Sequence, residues 1–322
     1  MQSSPAPSLR PSSSSVGVVF SLKEVAAHEW ALGAYITALA AAALLRSGPS
    51  SFAVSLLGAD LCIYLAFVFT ARSALTAGTP LGTWARRTSV VFALVATFLQ
   101  LDHVLPAVTS RTLDASILAL DLRLFGVEPA IAWDRWVTPA TTEWFSFFYF
   151  GYFFLIAIHV GVATLVVKNT QVQHELALLV TIVFGVGHLT YLLVPGFGPF
   201  RHLEGSFQHQ LGGPVFWQCV QHAVGAGGTR TDIFPSLHTA VPTALTLFSL
   251  RHRKVGPYRV LAPLMVLVTP QIVLATMFLR WHWLLDVVAG LTLATVAFVV
   301  ATRVATWETR RRATLGAAPV WS

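Results

Sequence analysis

The sequence predicts an all-α fold, a polytopic membrane bundle of about eight transmembrane helices. Composition is the first reason: of 322 residues, 55% are hydrophobic and 11% charged, where a soluble domain carries about a quarter charged residues. Mean hydropathy is +0.67. The second reason is recurrence, because apolar runs near the roughly 20 residues needed to span a bilayer repeat along the chain. The third is that Lys and Arg gather between those runs, as in membrane-protein loops.

The net charge of +7 does not point to nucleic acid, since no basic run is interleaved with solvent-facing aromatics. Cys62, in an apolar run, and Cys219, in a loop, make neither a disulfide framework nor a metal site.

Residues 1–20 are rich in Ser and Pro without apolar periodicity, which predicts a disordered cytoplasmic tail. No apolar core follows a basic start there, so no signal peptide is expected. The first span, Trp30–Leu45, is Ala-rich and short, and extends back through Val25-Ala26-Ala27. Ser51–Thr70 is the second. Arg72, Arg86 and Arg87 occupy the next loop, and Thr88–Leu105 forms a third span ended by Pro106. In Ser110–Pro139, Leu113, Ile117, Leu120 and Leu124 recur at helical spacing, with Asp114 and Asp121 off that stripe. This predicts an amphipathic helix, either lying in the membrane interface or packed on the protein. Trp133, Trp136 and Trp144 belong at headgroup depth.

Glu143–Val167 is the fourth span, and its aromatic crowding reads as packing or lipid contact. Glu175–Val194 is the fifth, stopped by Pro195-Gly196-Phe197-Gly198-Pro199. A long loop to Ile233 carries the turn signals Gly212-Gly213-Pro214 and Gly225-Ala226-Gly227-Gly228. Ser236–Leu250, Tyr258–Leu279 and His282–Ala305 complete the spans, and 307–322 is a basic cytoplasmic tail. With the amino-terminal tail inside, fourteen of the 21 Lys and Arg fall on the cytoplasmic side. That bias places the loop ending at Ile233 on the outer face of the cell membrane.

The chemistry-bearing stretch runs from Phe234-Pro235-Ser236-Leu237-His238 to His282-Trp283-Leu284-Leu285-Asp286. Two apolar runs between them leave one membrane face and return, so His238 and His282 share a face. Each sits at a helix start, where unpaired N–H groups favour an anion. His282 and Asp286 are four apart and lie on one side of a helix. A carboxylate at one imidazole nitrogen fixes the tautomer and leaves the other as a nucleophile. His238 is placed as a general acid. Ser236 is a candidate N-cap; no Gly-x-Ser-x-Gly elbow makes it a nucleophile. His202, His209 and His222 match no zinc spacing. His159, His188 and Asp60 lie within spans, where interhelical hydrogen bonding is the expected role.

The two motifs, with Val287-Val288-Ala289-Gly290 after the second, resemble motifs of the PAP2 (type 2 phosphatidic acid phosphatase) superfamily. The Leu of Pro-Ser-Leu-His and Thr276-Met277-Phe278-Leu279 are similar to its branch of fungal inositol phosphorylceramide synthases and bacterial relatives. Leu193-Val194-Pro195-Gly196-Phe197-Gly198-Pro199 resembles that branch's first motif. The resemblance is specific over Tyr191–Gly290 and looser across 88–306, taken as a six-helix catalytic core. Residues 21–87 are then two added helices.

The resemblance implies that His282 forms a phospho-histidine, Asp286 orients it, and His238 protonates the leaving group. Water or an alcohol then resolves the intermediate, and no metal or other cofactor is needed. The sequence departs from the broader pattern at Thr276-Met277, where PAP2 phosphatases carry Ser-Arg, and the usual Lys and Arg of the first motif are not evident. Arg280, Arg201 and Arg230, with Ser236, are the candidate phosphate ligands in their place.

The expected function is a membrane phosphotransferase of the inositolphosphotransferase type, moving a phospho-headgroup between lipids. The alternatives are a lipid phosphate phosphatase, acting on phosphatidate, a sphingoid phosphate or a polyprenyl phosphate, and a non-catalytic lipid-binding or transport protein. The expected partners are membrane lipids.

Overall fold

A computed structural model describes residues 20, 22–76, 78–226 and 231–321. The expected disordered tail, Phe20 apart, and Arg230 lie outside the described residues. Among the described residues the structure is all helical, with no strand.

Helices α1 (Ala27–Ser47) and α2 (Phe52–Arg72) form a hairpin that turns at Gly48, whose φ of 79° suits glycine. α3 (Pro80–Leu99) begins at Thr79, whose Oγ1 accepts from Gly82 N–H at 3.2 Å. Arg86 and Arg87 lie on this helix, not in a loop. α3 stops at Gln100, and α4 (Leu101–Val108) leaves at 57° with Pro106 inside it. The third span is therefore bent. One turn before the break, Thr97 Oγ1 donates to the Ala93 carbonyl at 2.6 Å, a back-bond that bends helices.

The amphipathic segment folds as α5 (Asp114–Phe125) and the short α6 (Pro129–Ala132). Its orientation differs from the leucine stripe. Asp114, Ile117 and Asp121 are buried, while Leu113, Leu120 and Leu124 are exposed. The acids turn inward because backbone N–H groups of later loops are waiting for them. Trp136 and Trp144 are exposed, as an interfacial belt requires.

α7 (Pro139–Gly161) is capped by Thr138, which accepts from Thr141 N–H at 3.1 Å. α8 (Thr170–Leu193) is capped by Asn169, which accepts from Gln171 and Val172 N–H. The short α9 (Pro199–His202) and α10 (Phe216–Ala226) occupy the long loop. α11 (Leu237–Arg251), α12 (Tyr258–Phe278) and α13 (Leu284–Thr314) end the chain.

Six helices, α1, α2, α7, α8, α12 and α13, are long and apolar enough to cross a membrane; bent α3–α4 makes a seventh if it is one span. The protein is a multi-pass membrane protein. The remaining expected span, α11, has only 15 residues, about 22 Å of helix against roughly 30 Å of hydrocarbon. It packs against α7, α8, α12 and α13. Ala294, Ala297, Ala301 and Ala305 form a buried small-residue stripe on α13, which lets neighbouring helices approach closely. Leu32, Ile36 and Leu39 of α1 share one core with α8, so the first hairpin is continuous with the rest. His159 Nε2 lies 2.9 Å from Ser249 Oγ, and His188 Nδ1 lies 2.6 Å from Tyr35 OH. Both are the interhelical bonds expected of them.

α13 continues to Thr314, so part of the expected basic tail is helical. Arg312 is buried there, 3.1 Å from Glu308. The following residues fold back. Arg72 donates to the Val320 carbonyl at 3.2 Å, and Trp321 stacks on His28 at 5.5 Å.

Candidate active site

Four carboxylates from the segment Asp114–Glu143 build the frame of the site, mostly by accepting backbone N–H groups. Asp114 accepts from Phe197 and Gly198 N–H at 2.9 Å and from Trp283 Nε1 at 3.2 Å. Asp121 accepts from Leu284 and Leu285 N–H, each at 2.9 Å, and so caps α13. Glu143 accepts from Val215, Phe216 and Trp217 N–H and caps α10. Asp134 accepts from Gln208 N–H at 3.0 Å and pairs with Arg280 at 2.8 Å. The Pro-Gly-Phe-Gly-Pro loop thereby lies against the turn at 280–282, where Phe200 N–H donates to the Arg280 carbonyl at 2.7 Å. Gly198, at φ 78°, has no room for a Cβ against the Trp281 carbonyl.

The two histidine motifs are joined through their backbones. Ser236 N–H donates to the Asp286 carbonyl at 3.0 Å. A Cβ on Gly290 would stand 2.6 Å from the Ser236 carbonyl oxygen, so only glycine allows α11 and α13 this approach. His238 is in the first turn of α11. His282 precedes α13, its N–H donating to the Thr276 carbonyl at 3.1 Å. The two rings are 6.2 Å apart. Asp286 Oδ2 accepts from Trp283 N–H at 2.9 Å and lies 3.4 Å from His282 Nδ1, within ion-pair reach but outside hydrogen-bond alignment.

His238 sits between two tyrosine rings. Tyr149 stacks on it at 4.2 Å and 11°, and Tyr152 lies at 4.2 Å on a tilted plane. The Tyr149 hydroxyl is 3.4 Å from His238 Nδ1, while Nε2 has no hydrogen-bond partner. The aromatic crowding of α7 thus includes a holder for His238 as well as packing.

A cavity of about 380 Å³ brings both histidines together with Asp232, Arg201, Glu204 and Trp281. Burial lowers the His282 pKa to about 4, against the opposing pull of Asp232 and a hydrogen bond to the Ile233 backbone. The ring is neutral at neutral pH. Burial also raises Asp232 to about 6, opposed by His282. Asp232 is a site residue the motif reading passed over. The available signal was position: it is the only carboxylate between Glu204 and Asp286.

The expected phosphate ligands separate. Arg201 lines the cavity, with its guanidinium over the Phe197 ring at 4.1 Å. Arg280 is not brought into the cavity. Its backbone is left-handed at φ 67°, and its guanidinium is committed to Asp134, the His209 carbonyl at 2.6 Å and the Phe207 ring at 3.7 Å. Asp134 is the physical reason, since it offers Arg280 a fixed carboxylate in place of solvent. Ser236 is fully buried, does not line the cavity, and its Oγ makes no capping bond. Among the described residues, no group of three or more His, Cys, Asp or Glu is placed to hold a metal ion.

Comparison with known proteins places this arrangement. No curated protein and no solved structure matches the chain. The family model described as PAP2 superfamily matches residues 115–300. That match covers more than half of the chain and encloses both histidine motifs, and the chain belongs to the PAP2 superfamily.

Proposed function

We propose that the protein moves a phospho-headgroup from one membrane lipid to another, as an inositolphosphotransferase-type member of its superfamily. Members of that superfamily are generally phosphatases or phosphotransferases. The observation that carries the proposal is the pair of imidazoles 6.2 Å apart in one cavity, with Asp286 beside only one of them. Asp286 faces Nδ1 of His282, which leaves Nε2 to attack phosphorus. The bond from phosphorus to the leaving lipid oxygen breaks, and that oxygen takes its proton from His238, which draws it in with the anionic phosphate, since the buried ring is otherwise neutral. A phospho-histidine forms on His282. His238, now neutral, takes the proton of an acceptor hydroxyl, whose oxygen attacks phosphorus and releases His282. Arg201 compensates charge on the phosphoryl oxygens.

Transfer is favoured over hydrolysis by the cavity wall, where Phe150, Phe153, Phe197, Phe200 and Trp281 disfavour water. Hydrolysis of a lipid phosphate is the second reading, supported by Glu204 and Gln221, which give the same cavity a polar side. Lipid carriage without chemistry draws support from the withdrawal of Arg280. The test is lipid-product mass spectrometry on purified protein and His282→Ala, with phospholipids and lipid phosphates, with and without a ceramide or diacylglycerol acceptor. A His282-dependent phospholipid formed only with acceptor is expected. Free phosphate alone selects hydrolysis, and lipid binding with no His282-dependent product selects carriage.

The charge bias motivates a further proposal, that the site faces outward at the cell membrane. A cysteine at Gly205, with Cys62 and Cys219 replaced, is expected to react with an impermeant reagent on intact cells. Reaction only after lysis reverses the orientation.

A further inference from the structure

A second cavity, of about 430 Å³, continues from the first. The two share Phe98, Phe153, Asp232 and His238, so His238 stands at their junction. The second cavity runs between α3, α7 and α8. Its wall follows α8 from Tyr191 to Gln173, roughly 27 Å at about 1.5 Å per residue. That is most of a hydrocarbon thickness of about 30 Å, so the cavity passes the bilayer midplane. Between its ends the wall is almost wholly hydrocarbon, including Leu94, Ile156, Leu176 and Val180. Such a wall offers water and polar groups too few partners to hold them. At the far end stand Arg87, Gln173 and Trp321. Trp321 is held there by its stacking on His28 and by the bond from Arg72 to the Val320 carbonyl.

We infer that this cavity holds one hydrocarbon chain of the lipid whose phosphate lies between His238 and His282, and that Trp321 closes its far end and limits chain length. The inference rests on the lipid-phosphate chemistry proposed above and names the shape of the substrate: a phosphate on a chain that extends inward past the midplane. The occupant is fixed by continuity. A chain leaving the phosphate at His238 meets this apolar opening directly, whereas the first cavity continues to Arg201 and Glu204.

The test is photocrosslinking of the purified full-length protein with hexadecyl phosphate bearing a diazirine at its terminal carbon, followed by peptide mapping. Label is expected on residues 160–177 or on Trp321, and unlabelled hexadecyl phosphate should compete. Ala157 lines the cavity and is exposed, so Ala157→Trp can obstruct the opening without disturbing the core. It is expected to lower that labelling about tenfold, since a filled cavity does not readmit the chain. Ala177→Phe, deeper in the same wall, should do likewise. In Trp321→Ala, icosyl phosphate should compete several-fold better relative to hexadecyl phosphate than in the parent protein. Label confined to other helices, or unchanged by both obstructing substitutions, overturns the cavity assignment. An unchanged chain-length ratio in Trp321→Ala overturns the role of Trp321. Crosslinking requires no turnover, so a protein labelled as expected but inert refutes the chemistry and keeps the cavity. A protein that turns over lipid phosphates but is labelled elsewhere does the reverse.

Discussion

The two ends of the bundle use carboxylates differently. At the site end, Asp114, Asp121 and Glu143 accept from backbone N–H groups of loops and helix starts, and Asp134 does so in part. At the other end acids chiefly meet side-chain cations, Glu29 with Arg72 at 2.9 Å, Glu175 with Arg251 at 2.9 Å, and Glu308 with Arg312 at 3.1 Å, while Glu29 and Glu308 each accept one N–H as well. His252 lies 2.8 Å from Glu175 and His174 lies 3.1 Å from Glu308, whereas at the site end His238 is held between the Tyr149 and Tyr152 rings. One end holds helices together. The other holds main chain in place, so that two imidazoles meet in one cavity.

The sharpest break of this comparison is Asp114→Ala against Glu308→Ala. Asp114→Ala frees three donors, two of them buried, that position the Pro-Gly-Phe-Gly-Pro loop and Trp283. Small misplacement of reacting groups costs about 100-fold, and a loss of that order in kcat/KM is expected. Glu308→Ala, at the far end of the helix that carries Asp286, takes the carboxylate from His174 and the Ala27 N–H and leaves Arg312 with Glu24 as its remaining acid. It should cost about 3 kcal/mol in stability and leave kcat/KM within about twofold. Thermal melts and steady-state kinetics on both variants decide the matter. Equal kinetic losses would mean that the two ends are not separate devices.

A smaller effect is expected in pH dependence. Burial holds the His282 pKa at about 4, and attack requires the neutral ring, so kcat/KM should fall as pH drops through that value. The Asp232 carboxylate pulls the His282 pKa upward. Asp232→Asn should therefore move the acid limb to lower pH and remove any inflection near 6 that Asp232 itself contributes. A pH–rate profile superimposable on the parent's would detach Asp232 from the site.

The smallest contrast is between the two arginines. Arg201→Ala is expected to raise KM several-fold with stability retained, as loss of an exposed-side phosphate contact does. Arg280→Ala takes the guanidinium from buried Asp134 and should lower the melting temperature more than it changes KM. The opposite pattern would return Arg280 to the phosphate.

The six long apolar helices were legible from composition, and the nearness of His282 to Asp286 from spacing within one helix. The meeting of the two motifs followed from the two apolar runs between them. The bend after α3 was not legible, since the visible breaker, Pro106, lies inside α4 and the break falls earlier, at Gln100. The inward face of α5 was left open because hydrophobic spacing marks leucines whether they meet protein or lipid. In a membrane the outer face is apolar too, and Asp114 and Asp121 go inward to find donors. Arg280 looked like a phosphate ligand from two residues away in sequence. Its partner Asp134 lies 146 positions earlier, a distance no local pattern spans. Tyr149 and Tyr152 were visible only as members of an aromatic run.

Gly290 gives the reaction its ruler. One absent methyl group lets the two helix starts touch through main chain alone, and the spacing of the two rings follows from that contact. Evolution or design can therefore reshape which lipids enter by changing the cavity walls, many residues of which are individually replaceable. The interval between the two imidazoles has no such freedom, because nothing smaller than hydrogen exists to loosen it and anything larger drives the motifs apart.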